Sequence, residues 1–120
     1  MTIKLEHERD NLIVIRGSEV LKRAESDDIK KQIVTLIKRY GKMNVLIIIE
    51  KDFANLEAFA NWADNEDDRF IQQHLERLAI VGDLRWRDNA LLFFLNGLLP
   101  FSIEYFKASE EILARAWLLS

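Results

Sequence analysis

Val45-Leu46-Ile47-Ile48-Ile49 is an unbroken run of leucine and β-branched residues. Such side chains are stiff about χ1 and favour extended backbone. A strand with one wet face alternates apolar and polar residues, whereas a strand covered on both faces has no polar position to spare. The run therefore predicts a central strand with structure packed on both sides, as in a layered α/β fold.

Outward from it, the pattern alternates. Upstream, Ser26 reads as a helix cap, and Asp27 and Asp28 complement the helix dipole. Ile29, Ile33, Leu36, Ile37 and Tyr40 then recur at helical spacing, and Gly41 suits a left-handed stop. Residues 3–7 and 12–16 read as short strands, with Glu8-Arg9-Asp10-Asn11 as the hairpin turn. Downstream, Asn55 caps a second helix carrying Leu56, Phe59, Ala63 and Phe70. Residues 78–81 form a buried strand ended by Gly82-Asp83, and residues 85–99 a third helix. A strand at 102–106 follows, and Ser109-Glu110-Glu111 opens a last helix bearing Ile112, Leu113, Ala116 and Trp117. The predicted order is ββαβαβαβα, a mixed sheet of about five strands with four helices and right-handed crossovers.

The chain of 120 residues reads as one domain, 1–120, with a single proline, four glycines and no repeat or linker. A net charge of −3 argues against a general nucleic-acid binder. Without cysteine there is no disulfide, thiolate zinc site or Cys nucleophile. The start, Met-Thr-Ile-Lys-Leu-Glu, lacks a signal pattern, so a cytoplasmic location is expected.

Several short pieces occur in a telling order. They are Tyr40-Gly41-Lys42 before the central strand, Trp62-Ala63-Asp64 on the second helix, and Arg77-Leu-Ala-Ile-Val-Gly-Asp83 with Trp86 three residues on. Pro100 before the last strand and Ala116-Trp117-Leu118 complete the set. With these, the chain resembles the SpoIIAA-like family over essentially its whole length. That family is a branch of the STAS fold, the fold of anti-sigma-factor antagonists and sulfate-transporter tails. The resemblance implies a STAS-like sheet. Antagonists that switch partners by phosphorylation carry a serine just after the central strand. Here that place reads Glu50-Lys51-Asp52-Phe53-Ala54-Asn55, with no hydroxyl to take a phosphoryl group. The turn after the proline, small or acidic in the family, is Phe101-Ser102.

The least ordinary stretch is Ala90-Leu-Leu-Phe-Phe-Leu-Asn-Gly-Leu-Leu-Pro-Phe101. On a helical wheel Asp88, Asn89 and Asn96 leave only a narrow polar side. A helix on one face of a sheet needs an apolar stripe of about 100°, and this one is wider. The surplus falls on Leu92, Phe93, Leu95 and Leu99, with Trp86 preceding them. Arg85-Trp86-Arg87 adds headgroup-seeking cations and an interfacial ring. Such a helix, roughly 20 Å long, can lie on a bilayer but not cross it. Gly97 and Pro100 loosen its end, as in a lid, or simply stop it.

Phe53, Phe59, Trp62 and Phe70 surround the second helix. They read either as core or, with Glu66, Trp86, Phe93 and Phe94, as the lining of an apolar ligand pocket between the second and third helices. The carboxylates Asp64, Glu66, Asp67 and Asp68 read as a solvated face, because calcium loops space their ligands around a glycine turn. His7 and His74 make no zinc-type pair, and no serine sits in a nucleophile elbow. We thus expect no catalytic residue, metal or cofactor. The expected function is non-enzymatic binding of an apolar small molecule or lipid, with peripheral membrane contact through the third helix. The alternative is protein docking or homodimerisation through that same helix.

Overall fold

The computed structural model describes residues 3–9, 11–18, 23–50, 66–83, 85 and 102–119. Five strands form one sheet in the order β1-β2-β3-β4-β5. They are β1 (Ile3–Arg9), β2 (Leu12–Gly17), β3 (Met43–Ile49), β4 (Leu75–Gly82) and β5 (Ser102–Lys107). The first two pair antiparallel and the rest parallel. The described helices are α1 (Arg23–Tyr40), α2 (Glu66–His74) and α3 (Glu111–Leu119), the last preceded by a 3-10 turn at Ala108–Glu110. The predicted mixed α/β sheet is present. Apart from Arg85, the expected third helix lies outside the described residues, as does the start of the second.

The central strands bury both faces by period-two alternation. Ile13, Ile15, Met43, Val45, Leu78 and Ile80 turn to one face, against Ile29, Ile33 and Ile37 of α1 and Ile71 of α2. Leu12, Val14, Leu46, Ile48, Ala79 and Val81 turn to the other, against Ala114 and Leu118 of α3. Both crossover helices share one face, as right-handed connections between successive parallel strands require.

Three boundaries differ from the sequence reading. Helix α1 begins at Arg23, so Ser26 lies within its first turn and is not its cap. Strand β1 runs on to Arg9, and its register with β2 shifts between His7 and Arg9, so Glu8 and Arg9 of the predicted hairpin turn are strand while Asn11 is turn. Ser109 lies in the 3-10 turn, where the Lys107 amide donates to Glu110 Oε1 at 2.9 Å. Gly41 does stop α1: its φ is +90°, a left-handed value, and its amide donates to the Ile37 carbonyl at 2.7 Å.

Candidate functional site

Helix α3 is nine residues long and would not hold its shape alone. Its last carbonyls have no partner within the helix. Two side chains of the sheet supply them. Asn44 Nδ2 of β3 donates to the Leu118 carbonyl at 3.1 Å, and the Arg77 guanidinium of β4 donates to the Trp117 carbonyl. Arg77 also lies 5.3 Å from the Trp117 ring centroid. A cation at a helix C-terminus opposes the negative end of the dipole. At mid-helix, Arg115 Nε donates to Glu111 Oε2 at 3.0 Å, and its other nitrogens reach Glu8 of β1. The Arg115 hydrogen bond and charge, with Arg16 and Arg9 adding to them, hold the Glu8 carboxyl below the usual range, although partial burial opposes the shift. Glu8 in turn pushes the Arg115 guanidinium up.

These ties fix which side of α3 faces outward. Ala114 and Leu118 are buried, and Trp117 is half-buried beside Phe106 at 6.1 Å. Ile112, Leu113 and Leu119 are 83%, 56% and 52% exposed, and Ala116 between them is also exposed. The sequence marks Ile112 and Leu113 as apolar residues of this helix without choosing its buried side. The structure turns them out because the contact with β3 and β4 is made by Ala114 and Leu118.

A second corner forms at the carboxyl end of β4. The Tyr105 hydroxyl donates to the Asp83 carbonyl at 2.6 Å, and the Arg85 amide donates to Asp83 Oδ1 at 2.9 Å. Burial, helped by the Asp83 charge, raises the Tyr105 phenol to about 12. Gly82 leaves room for this: a Cβ there would lie 2.9 Å from Ile49 Cβ and 3.0 Å from the Tyr105 hydroxyl. Among the described residues no group of three His, Asp or Glu is placed to hold a metal ion.

The SpoIIAA-like family model matches residues 12–119. The chain belongs to the SpoIIAA-like family. Comparison with curated proteins gives no match. In this SpoIIAA-like domain, the described residues that carry the family likeness act on the fold. Arg77 and Trp117, distant in sequence, meet at the end of α3, Gly82 and Asp83 build the Tyr105 corner, and Gly41 ends α1. The match begins after β1, so Glu8 reaches Arg115 from a strand outside the matched span.

Of the site residues read from sequence, Phe59, Trp62, Trp86, Arg87, Leu92, Phe93, Phe94, Leu95 and Leu99 lie outside the described residues. Glu66 begins α2, and its side chain lies outside them too. Phe70 packs against the core beside His74, with centroids 4.3 Å apart, and Lys38 Nζ of α1 lies 5.8 Å from its ring. Its described contacts thus run toward α1. Arg85 is exposed. The apolar surface that the sequence reading missed is Ile112, Leu113, Ala116 and Leu119.

Proposed function

We propose that this SpoIIAA-like domain works as a docking module without chemistry of its own, using the outward stripe of α3. Its occupant is a second copy of the chain. The observation that carries this reading is the exposure of three large apolar side chains on one short, firmly held helix. Ile112, Ala116 and Leu119 stand at i, i+4 and i+7, one face of a helix. An antiparallel pairing about Ala116 sets each Ile112 near the partner's Leu119. The small residue at the centre lets the helices approach, and opposed dipoles favour the arrangement. A single short helix buries less than the standard interface of about 1,600 Å², so the dimer is weak and concentration-dependent.

A second reading is supported by the composition of residues 90–101. In it the domain holds an apolar small molecule or lipid, lined by Phe59, Trp62, Glu66, Phe70, Trp86, Phe93 and Phe94. Peripheral membrane contact would fall to Arg85, Trp86, Arg87, Leu92, Phe93, Leu95 and Leu99. Among the described residues no helix is long and apolar enough to cross a membrane.

Native mass spectrometry of the purified protein separates the two readings. A doubled mass that disappears in Ile112→Glu/Leu119→Glu supports docking through α3. A monomer carrying added lipid mass supports the second reading and overturns the first.

A further inference from the structure

The amino end of the parallel strands carries a charge pattern opposite to that of the whole chain. From Ile33 to Ile49 there are three basic residues, Lys38, Arg39 and Lys42, and no acidic one, in a protein of net charge −3. Lys38 and Arg39 occupy the last turn of α1, and Lys42 precedes β3. Arg9 ends β1 at the same edge, since it pairs with Leu12, which pairs with Asn44. All four are exposed. The helix dipole accounts for cations in the last turn of α1, but not for Lys42 or Arg9. None of the four has an ion-pair partner among the described residues. Glu8, the carboxylate beside Arg9, is engaged by Arg115, and Glu76 stands one residue into β4.

Tyr40 sits within this group and is 39% exposed. His7 lies 4.6 Å from its ring and the Arg39 guanidinium 5.4 Å from it. A tyrosine so engaged is a poor stacking platform for a nucleobase, which needs a free ring face. A partly exposed tyrosine with an arginine beside its ring, on a surface that also carries Lys38 and Lys42, suits the boundary of a bilayer, where aromatic rings sit at headgroup level and cations meet anionic lipid. Ser102, the first residue after the apolar run of residues 90–101, begins β5 at this same end, paired with Arg77.

We propose that Arg9, Lys38, Arg39, Tyr40 and Lys42 form a surface for the anionic face of a lipid bilayer. This surface is separate from the outward stripe of α3 and does not rest on its role. Arg85 stands at the opposite, carboxyl end of β4, so the residues differ from those of the Arg85-Trp86-Arg87 reading.

The test is co-sedimentation of the full chain with phosphatidylcholine vesicles, with and without phosphatidylserine. The protein is expected to pellet only with the anionic vesicles, and less as salt rises past about 0.15 M. Each cation near such a surface is worth about fivefold in partitioning, so Lys38→Gln/Arg39→Gln/Lys42→Gln should lower it on the order of 100-fold. Lys4→Gln/Lys107→Gln, at the other end of the sheet, should leave it unchanged. The urea midpoints of both variants, read alongside, verify that they are folded. No pelleting of the wild type overturns the proposal, as does an equal loss per charge in the two variants. Binding of a labelled single-stranded RNA without vesicle binding assigns the surface to nucleic acid and also overturns it. Binding of inorganic phosphate that matches vesicle binding in its response to the triple variant marks a free-anion site and overturns the bilayer as occupant.

Discussion

Gly82→Ala tests the corner where β3, β4 and β5 meet. The added methyl would lie 2.9 Å from Ile49 Cβ and 3.0 Å from the Tyr105 hydroxyl. Carbon atoms are at ease at about 3.5–4.0 Å, so about 0.6 Å or more must be found. Ile49 Cβ is fixed to the backbone of a central strand and cannot swing away. Overpacking of this kind costs about 1–3 kcal/mol. If Tyr105 gives way as well, its hydrogen bond to the Asp83 carbonyl is lost, at about 1 kcal/mol more. The sum is about 2–4 kcal/mol, a lowering of Tm by about 10 °C for a chain of this size. Urea unfolding followed by circular dichroism should show the midpoint falling with m unchanged. A double-mutant cycle with Tyr105→Phe isolates the hydroxyl: Gly82→Ala should cost less in that background, yet still more than about 1 kcal/mol, because Ile49 remains. A loss below about 0.5 kcal/mol for Gly82→Ala, or complete rescue by Tyr105→Phe, would refute the reasoning.

Other expectations follow from the same contacts. Arg77→Met removes a donor from the Trp117 carbonyl and a cation from the end of α3. It should cost about 1–3 kcal/mol and speed amide exchange in α3 ahead of α1. Ile112→Glu should change the unfolding free energy read from urea denaturation by no more than about 0.5 kcal/mol, because the side chain is exposed. Glu8 titrates below its unfolded value, so its contribution is present above the unfolded pKa of 4.5 and is lost as pH falls through the folded one. Glu8→Gln should flatten that acid limb in pH-dependent urea midpoints. Tyr105 runs the other way: its neutral form is favoured up to about 12, so its stabilisation holds below pH 10 and fades as pH rises toward 12. A phenolate absorbance titration should show one tyrosine ionising near 12, and Tyr105→Phe should remove it.

The central layers were legible because their signal is local. The apolar run at Val45–Ile49 marked a strand covered on both faces, and the spacing of Ile29, Ile33 and Ile37 marked the face of α1 that covers one side. The orientation of α3 was not legible. Of its nine residues only Glu111 and Arg115 are polar, so helical periodicity cannot choose between Ile112/Leu113 and Ala114/Leu118 as the buried side. What decides is the pair of donors Asn44 and Arg77, lying 74 and 40 residues away from the carbonyls they meet. No local rule announces that a strand arginine will end a helix. Ser109-Glu110-Glu111 misled for a related reason: the capping pattern was real, but Lys107 and Glu110 close a 3-10 turn first. Of the candidate pocket, only Phe70 has a described side chain, and its neighbours are Lys38 and His74. The aromatic spacing that suggested a ligand also serves ordinary packing between α1 and α2.

The central claim is that the outward stripe of α3 is a docking surface for a second copy of the chain. Sedimentation equilibrium over a concentration series tests it most directly, with wild type compared with Ile112→Glu/Leu119→Glu. Wild type should form a reversible dimer at high concentration and the variant a monomer throughout, both equally folded. A wild type that stays monomeric at every concentration, or a variant that dimerises as well as wild type, would contradict it.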